Sequence, residues 1–344
     1  MSLKVNKKRN HVFRAVKHLG RLRVLAIIPG SASNPVDMIF AKRQVEALEA
    51  LGVQVRRFFL ASRINPICII QAWWRLRREI SLFAPDVIHC HYGTMTAFIA
   101  VCSTTRPVVI TFRGSDLNPV PSGNKLRVLF GHLLSQLSAI RAAGIICVSQ
   151  ELGLRLLVGM RNVDVIPTGV DIGSFKPALK STARSRLGFG GTDSVVLFNA
   201  GNSTKVKRLD LAEKAVAEAR KYLPTIKLVV LRGDIPPEEI PVYHNAADVL
   251  LVTSDFEGSP TIVQEAVACG LPVVSVAVGD VPEILRSVNP SKIVPRDAVL
   301  IGAALLEIIS LKQRSNGPEI ALKELSSSVV GARVLQVLHN AAMR

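Results

Sequence analysis

Two glutamates, Glu257 and Glu265, are the side chains of this 344-residue chain best suited to binding a polar ligand. A helix is predicted to begin at Ser259-Pro260, a favourable N-cap followed by a favourable first helical residue. Glu257 therefore precedes the helix and lies beside its unpaired backbone N–H groups. Glu265 falls in mid-helix on a mostly apolar face, where a carboxylate needs a hydrogen-bond partner such as the vicinal hydroxyls of a ribose or sugar. A solvent-exposed glutamate on a boundary helix is the alternative.

A second group of candidates is cationic and lies between a predicted strand, 194–200, and a predicted helix, 209–222. Lys205, Lys207 and Arg208 accompany the exposed amides expected at the start of that helix. Cations and free N–H groups together favour the binding of a diphosphate. A solvated basic loop is the alternative.

Two histidines, His89 and His91, share one face of a predicted strand, a spacing that can ligate a metal ion. Neither a pair of carboxylates nor a cysteine cluster accompanies them. Because protein metal sites draw on several such ligands, we expect local packing or the lining of a cleft, and no metal site.

The elements that position these residues alternate between strands and helices. One series of short apolar strands is predicted at 22–28, 53–59, 85–91, 106–112 and 144–148. A second series follows Pro167, with strands at 194–200, 226–231, 248–253 and 271–276. This alternation predicts parallel sheets covered by helices on both faces. We therefore expect an α/β protein of two doubly wound, Rossmann-like domains facing a cleft, with ligands at the carboxyl ends of the strands.

Composition along the chain sets the expected domain boundaries. A basic extension over residues 1–20 precedes an N-terminal domain at 21–175. A segment rich in Gly, Ser, Pro and Lys, 176–191, is the expected linker to a C-terminal domain at 192–328. Residues 329–344 form a predicted final helix.

The overall composition narrows the class of protein. The chain has 43 Lys and Arg against 26 Asp and Glu, a formal net charge of +17, and 49% of its residues are hydrophobic. That hydrophobic content excludes a disordered or low-complexity protein. No apolar run reaches the roughly 18–20 residues that span a bilayer. The five scattered cysteines, without a C-x-x-C pair, argue against a disulfide framework or zinc site and favour a reducing cytoplasm.

The excess charge is concentrated in residues 1–78, which contain 16 Lys and Arg and three acids. Residues 1–23 are basic, with apolar residues at roughly helical spacing, and 66–78 place Trp73 and Trp74 between an aliphatic stretch and an Arg cluster. This mixture is typical of a helix at an anionic membrane interface, with an ordinary surface helix as the alternative. A nucleic-acid partner is not expected, because aromatic residues are few and no base-reading motif is present.

The segment around the two glutamates resembles the retaining glycosyltransferases of the GT-B fold, in the large glycogen-synthase-like family. The family pattern E-G-x-P-x-x-x-x-E-A-x-A-x-G-x-P-V-V is matched from Glu257 through Glu265 to Val274. The resemblance implies a catalytic role for Glu257 and a ribose contact for Glu265. It also implies donor contacts from the residues that follow Glu257, which are Gly258, Ser259, Pro260 and Thr261.

The basic loop resembles the G-R-L-x-x-x-K-G-x-D segment of the same family. Lys207 and Asp210 fall on this pattern, whereas Asn202 replaces its Arg and Arg208 replaces its second Gly. The resemblance implies a catalytic phosphate contact from Lys207, and we expect Arg208 or Lys205 to compensate for the missing Arg, with Arg208 helping to neutralise the departing diphosphate. Further donor contacts are expected from Gly201, Asn202 and Lys205.

The first domain also resembles this family. Thr111–Asp116 matches the pattern T-x-H-G-x-D, with Arg113 where His is common, and this permits a cationic contact with phosphate or an acidic acceptor. Arg113, Asp116 and His91 are thus candidate acceptor or cleft residues, and a loop-capping role is the alternative for Asp116. Gly30 and Ser31 occupy the place of a loop beside the donor diphosphate. Residues 165–177 resemble the family's hinge segment.

The resemblance implies an activity and a cellular place. The expected reaction moves a sugar from a nucleotide-diphosphate sugar, of the UDP or GDP type, to a glycan or lipid-linked acceptor with retention of configuration and no metal or cofactor. We expect a cytoplasmic chain of cell-surface polysaccharide biosynthesis, held peripherally at the inner face of the membrane by residues 1–23 and 66–78. Its last helix is expected to pack on the N-terminal domain, as in similar folds. A GT-B-like epimerase or phosphorylase, and a polyanion-binding protein with a vestigial site, are the alternatives.

Overall fold

The computed structural model describes residues 22–34, 37–119, 124–159, 163–201 and 204–344. The expected basic extension, 1–20, and the expected donor residue Asn202 lie outside these residues. The chain divides into two compact units. The first runs to Pro167 and includes Ser327–Arg344, and the second comprises Thr168–Ser326.

The first unit is built on a six-stranded parallel sheet. Its strands are β1 (Arg23–Pro29), β2 (Gln54–Leu60), β3 (Val87–His91), β4 (Val108–Phe112), β5 (Gly144–Cys147) and β6 (Val163–Val165). Their order across the sheet is β2-β1-β3-β4-β5-β6. The central strands β3 and β4 are buried along their whole length, because helices cover both faces of a parallel sheet.

Helices cover the two faces of this first sheet. They are α1 (Ile39–Ala50), α2 (Pro66–Phe83), α3 (Thr94–Ser103), α4 (Lys125–Arg141), the short α5 (Gln150–Gly153) and the C-terminal helix α14 (Ser327–Ala342). α2, α3 and α4 pack on one face of the sheet, where Leu76, Ala97 and Ala139 join one core cluster. α1 and α14 share a cluster on the other face through Leu48 and Leu338.

The second unit is built on a five-stranded parallel sheet with the order β11-β10-β9-β7-β8. Its strands are β7 (Ser194–Asn199), β8 (Ile226–Leu231), β9 (Val249–Val252), β10 (Val273–Ser275) and β11 (Lys292–Ile293). Its helices are α6 (Lys180–Leu187), α7 (Thr204–Lys207), α8 (Leu209–Arg220), α9 (Ile240–Ala246), α10 (Thr261–Ala268), α11 (Val281–Leu285), α12 (Ala298–Ser310) and α13 (Gly317–Ile320), followed by a π-helical turn, Ala321–Leu325. One core cluster runs through this unit.

The two parallel sheets confirm the expected fold class of two doubly wound α/β domains. The nine expected strands are present, with ends shifted by at most two residues. β6 and β11 were not expected, because three and two residues are too short to show a periodic pattern. Within the described ranges, no helix has the length and apolar character needed to cross a membrane.

The boundary between the units differs from the expected one. The chain divides at Pro167–Thr168, so the expected linker, 176–191, belongs to the second unit. It contains α6, whose buried Arg184 bonds to Asp248, with Nη2 and Oδ2 2.7 Å apart. Gly, Ser and Lys are typical of linkers, but the burial of this one arginine ties the segment to the second sheet.

Candidate functional site

The loops that follow β7, β9 and β10 meet at the carboxyl edge of the second sheet. β9 pairs with β7 on one side and with β10 on the other, so the ends of these parallel strands are neighbours. Asp255 N–H donates to the carbonyl of Val206 over 2.9 Å, and the Thr253 hydroxyl lies 2.8 Å from the carbonyl oxygen of Lys207. The loop after β9 is thereby bonded to α7, which follows β7.

Lys207 and Glu257 form an ion pair in this cluster of loops. The Lys207 ammonium lies 2.5 Å from Glu257 Oε1, and the Ser254 hydroxyl lies 2.7 Å from the same oxygen. Both charged side chains are largely buried. The structure thus brings together the glutamate and the lysine that the sequence selected from two motifs 50 residues apart. A partly desolvated ammonium of this kind is suited to binding phosphate oxygens.

Arg208 is engaged with two carboxylates of the same loops. Its guanidinium makes two bonds to Asp210, of 2.9 and 3.0 Å, and Nη1 lies 3.3 Å from Asp255 Oδ1. The hydrogen bonds that Arg208 donates to Asp210, and then to Asp255, raise its pKa above the ordinary value. Its backbone has a φ of 56°, a left-handed conformation that favours glycine, and glycine is the family's residue at this position.

Gly201 and Lys205 lie on the same stretch of chain as Lys207. Gly201 has a φ of 48° and donates its N–H to Asn199 Oδ1 over 3.1 Å, which turns the chain sharply after β7. Lys205 is exposed on α7. The expected role of Asn202 stays a prediction, because this residue lies outside the described ranges.

Glu265 is buried on α10, with 8% of its surface exposed. The alternative of a solvent-exposed glutamate is therefore wrong. Its carboxylate lies 3.6 Å from Nε2 of His244, a fully buried residue of α9. A buried carboxylate near the carboxyl edge of the sheet is suited to accept hydrogen bonds from vicinal hydroxyls.

The residues between the two glutamates form a rigid turn into α10. The helix begins at Thr261 with Pro260 as its N-cap, one residue later than expected. The Ser259 hydroxyl instead accepts hydrogen bonds from the Thr168 N–H, over 3.2 Å, and from the Gln264 side chain, over 2.6 Å. The Ser259 side chain therefore positions the turn.

Gly258 is approached closely by the loop that follows β10. Gly279 has a φ of 56°, and a Cβ at this position would lie 2.5 Å from the Gly258 carbonyl oxygen. Only glycine fits such an approach. The loops after β9 and β10 are therefore packed backbone to backbone at the start of α10.

Asp280 is a residue at this edge that the sequence reasoning missed. It is 4% exposed, so its carboxyl group is withdrawn from solvent. Burial raises the pKa of Asp280 well above its ordinary value, although the nearby Ser259 hydroxyl acts in the opposite direction. The signal that the sequence offered for Asp280 was its position as an acidic residue directly after Gly279.

The first unit gathers Arg113, His91 and Gln44 at the carboxyl edge of its own sheet. Arg113 Nη2 donates to Gln44 Oε1 over 2.8 Å and to His91 Nδ1 over 2.9 Å, and the guanidinium carbon stands 4.7 Å from the centre of the Phe40 ring. Because arginine can only donate, His91 accepts at Nδ1 and carries its proton on Nε2. Burial lowers the pKa of Arg113 to about 10, so its guanidinium stays charged at neutral pH.

Both histidines of β3 are buried and neutral. The His89 ring nitrogen Nε2 lies 2.8 Å from the Thr111 hydroxyl, and burial, with the charge of Arg113, lowers the pKa of His89 to about 3. Burial also holds the pKa of His91 well below its ordinary value. Across the described residues there is no group of three or more His, Cys, Asp or Glu side chains that could hold a metal ion.

Asp116 caps the loop that carries Arg113. Its carboxylate accepts hydrogen bonds from the backbone N–H groups of Gly93, Arg113 and Gly114, over 2.8 to 3.1 Å. Asp116 therefore caps the loop, which is the alternative expected for it, and these hydrogen bonds hold Arg113 in position.

Gly30 and Ser31 follow β1 at the same edge of the first sheet. Gly30 has a φ of 105° and donates its N–H to the carbonyl of Leu60 over 3.0 Å. The Ser31 hydroxyl lies 2.8 Å from that of Ser33. The positive φ favours glycine at this turn, and the expected place beside the donor diphosphate stays a prediction.

Two family models match the chain, one for each half. The model described as Glycosyltransferase Family 4 matches residues 10–174, and the model described as Glycosyl transferases group 1 matches residues 194–310.

Curated relatives are glycosyltransferases by name. A D-inositol 3-phosphate glycosyltransferase of Segniliparus rotundus is 30% identical over 151 residues, which are 36% of this chain and 33% of that protein. A protein named for teichuronic acid biosynthesis, the glycosyltransferase TuaC of Bacillus subtilis, is 26% identical over 64% of this chain and 60% of its own length. The chain thus spans between about a third and three fifths of the length of these relatives.

Solved structures share the fold at low sequence identity. A sucrose-phosphate synthase from Thermosynechococcus elongatus has a TM-score of 0.74 at 19% identity, over 92% of this chain and 98% of that one. The Anabaena protein HepE in complex with UDP-glucose has a TM-score of 0.67 at 17% identity, over 92% and 99% of the two chains. With its two family-model domains and these structural neighbours, the chain belongs to the GT-B glycosyltransferases, a family 4 domain being followed by a group 1 domain.

Proposed function

We propose that this protein transfers a sugar from a nucleotide-diphosphate sugar to a glycan or lipid-linked acceptor, with retention of configuration. The observation that carries the proposal is the Lys207–Glu257 pair at the carboxyl edge of the second sheet, with the buried Glu265 on the helix that follows. This edge is where open α/β sheets bind their ligands.

The donor diphosphate is assigned to Lys207. Its ammonium is available to phosphate oxygens once it exchanges its bond with Glu257, whereas Arg208 is already bonded to Asp210 and Asp255. A cation fixed at this place stabilises the charge that develops on the departing diphosphate, and this electrostatic effect requires no metal ion. Arg208 then holds Lys207 and its loop in position, and Lys205 adds a solvent-exposed positive charge.

The nucleoside and the sugar are assigned to the other groups of this edge. Glu265 accepts hydrogen bonds from the ribose hydroxyls, and Glu257 with the backbone of Gly258 contacts the transferred sugar. HepE, whose structure holds UDP-glucose, has the same fold, and this supports UDP as the first nucleotide to test.

The acceptor is assigned to the first unit. Arg113 presents a buried guanidinium whose Nε and Nη1 have no hydrogen-bond partner among the described residues. Such a group favours an acceptor with a negative charge. A lipid-linked acceptor at the cytoplasmic face of the membrane, as in cell-surface polysaccharide biosynthesis, agrees with the basic segments 1–23 and 66–78 and with the similarity to TuaC.

A thermal-shift panel of UDP-, GDP- and ADP-sugars tests the donor assignment, because a ligand that binds only the folded state raises its melting temperature. We expect one nucleotide class to stabilise the protein. Glu265→Gln should fold normally and lose most of this shift, since its carboxylate is assigned to the ribose. An unchanged shift in Glu265→Gln would remove the ribose assignment.

Product analysis with the stabilising donor separates the alternatives. A transferase releases nucleotide faster when a saccharide or lipid-linked acceptor is present, whereas an epimerase converts the donor without one. Salt-sensitive binding of polyanions with no turnover of any donor would instead indicate a vestigial site.

A further inference from the structure

Helix α4 (Lys125–Arg141) presents its most hydrophobic face to solvent. Six large apolar side chains, 43–78% exposed, follow one another at helical spacing and form a single stripe. This apolar stripe consists of Leu126, Leu129, Phe130, Leu133, Leu137 and Ile140. Surface helices of globular proteins ordinarily bury such a stripe against the core.

The opposite face of α4 packs on the protein, and its buried residues are Leu134, Ser135, Ser138 and Ala139. The Ser135 hydroxyl donates to the carbonyl of Asp116 over 2.9 Å and accepts the N–H of Thr94 over 2.8 Å. Gly131 lies against the Thr94 side chain, and Ala139 enters the core cluster. These specific contacts fix the rotation of the helix, so its exposed apolar stripe is a feature of the folded unit.

Helix α2 (Pro66–Phe83) adds exposed apolar residues on the same side of the first sheet. Ile67, Ile70 and Trp74 are each more than half exposed and lie on one face of α2. α2 and α4 flank α3 on this side of the sheet. Both helices begin after the carboxyl ends of their strands, so their N-terminal apolar residues lie at the same edge as Arg113.

The charges on these two helices are mainly positive and favour an anionic partner. α4 contains no acidic residue and carries Lys125, Arg127 and Arg141 at its two ends. On α2, Arg75, Arg77 and Arg78 follow Trp74, and the one acid, Glu79, is paired with Arg56. Apolar residues flanked by cations are typical of surfaces that enter the headgroup region of anionic bilayers.

We infer that the apolar stripe of α4, together with Ile67, Ile70 and Trp74 of α2, inserts into the surface of an anionic lipid bilayer. A second copy of the chain is the less suitable occupant, because two such faces would bring unpaired cations together. The inference rests on the proposed function and extends it, because a transferase with a lipid-linked acceptor needs a surface that holds it at the membrane. Binding to lipid nevertheless requires neither donor nor turnover.

Vesicle co-sedimentation of the full chain tests this inference. The probes are vesicles of phosphatidylcholine alone and of equal parts phosphatidylcholine and phosphatidylglycerol. The wild type should bind the second and bind the first much more weakly. Leu129→Ser, Leu133→Ser and Leu137→Ser combined should lower the partition coefficient on the order of a hundredfold, because insertion depends on apolar area. The matched control combines three exposed leucines of the second unit, Leu179→Ser, Leu311→Ser and Leu322→Ser, and should bind as the wild type does.

Equal binding by the stripe variant and the wild type, or no vesicle binding by the wild type, would overturn the inference. So would a wild type that is dimeric by analytical ultracentrifugation and becomes monomeric in the stripe variant. The donor-induced thermal shift is measured on the same samples and should be the same in all three proteins. A missing shift in the wild type rejects the proposed function, whatever the vesicles show.

Discussion

At the scale of single residues, two arginines stand where the family has other residues, and the structure gives a physical account of each. Arg208 takes a left-handed conformation that favours glycine, and its bonds to Asp210 and Asp255 offset the strain. Arg113 replaces a histidine and is held by His91 and Gln44. Both exchanges add a cation beside a candidate site, which agrees with anionic ligands.

Asp280 allows a test of how burial affects the protonation of an acid at the carboxyl edge of the second sheet. Its pKa is raised in the folded state, so above the unfolded value of about 3.9 ionisation favours the unfolded chain, and stability is lost as the pH rises. Asp280→Asn removes this titration. We expect the variant to be more stable than the wild type by about 1–2 kcal/mol near pH 7, and the difference to shrink near pH 4.

Urea denaturation followed by circular dichroism at both pH values measures this difference. Asp234→Asn, an exposed aspartate of the same unit, is the control and should change little. A loss of stability in Asp280→Asn near pH 7 would show instead that the carboxylate is ionised and favourably bonded.

At the scale of elements, periodic apolar patterns were sufficient to predict the main strands and the helices that follow them. They did not predict which segments pack into a domain, because that depends on the contacts that single side chains make in the folded chain. The segment 176–191 has the composition of a linker, yet the burial of Arg184 makes it part of a domain. The candidate site was predictable to the extent that its residues follow strands, since topology alone brings the loops after β7 and β9 together. Asp280 was missed because its significance arises from burial, which spacing does not show.

Arg184 is the residue that should hold the reassigned segment to the second unit. Its guanidinium bonds to Asp248 and to the carbonyl oxygens of Ala246, Gly190 and Gly191. Arg184→Met leaves the partly buried carboxylate of Asp248 with fewer partners and removes a buried arginine from its bonds, and we expect a loss of about 3–5 kcal/mol in the free energy of unfolding.

The matched control is Arg186→Met on the same helix. Arg186 is exposed and pairs with Glu239, and exposed pairs contribute about 0–1 kcal/mol. Chemical denaturation of both variants measures the two losses in the free energy of unfolding. Similar small losses would mean that α6 is only loosely attached to the second unit.

At the scale of the whole molecule, charge and chemistry are divided between the two units. Most of the net charge of +17 comes from the first 78 residues, whereas the candidate donor residues lie in the second unit. The family 4 and group 1 matches follow the same division of the chain. The proposed roles follow it too, with lipid and acceptor at the first unit and the donor at the second.

The central claim is that Lys207 binds the diphosphate of the donor. Replacing an ammonium that contacts phosphate removes charge-assisted hydrogen bonds, which should weaken binding about tenfold to a hundredfold. Lys227→Met is the matched control, because Lys227 lies on β8 of the same unit and pairs with Asp193, away from the loops after β7 and β9.

Calorimetric titration of the nucleoside diphosphate selected by the thermal-shift panel, into the wild type, Lys207→Met and Lys227→Met, is the most direct measurement. The account predicts wild-type affinity in Lys227→Met and a loss of about tenfold or more in Lys207→Met, with each titration made well below the melting temperature of the protein used. Equal affinity in Lys207→Met and the wild type would contradict it.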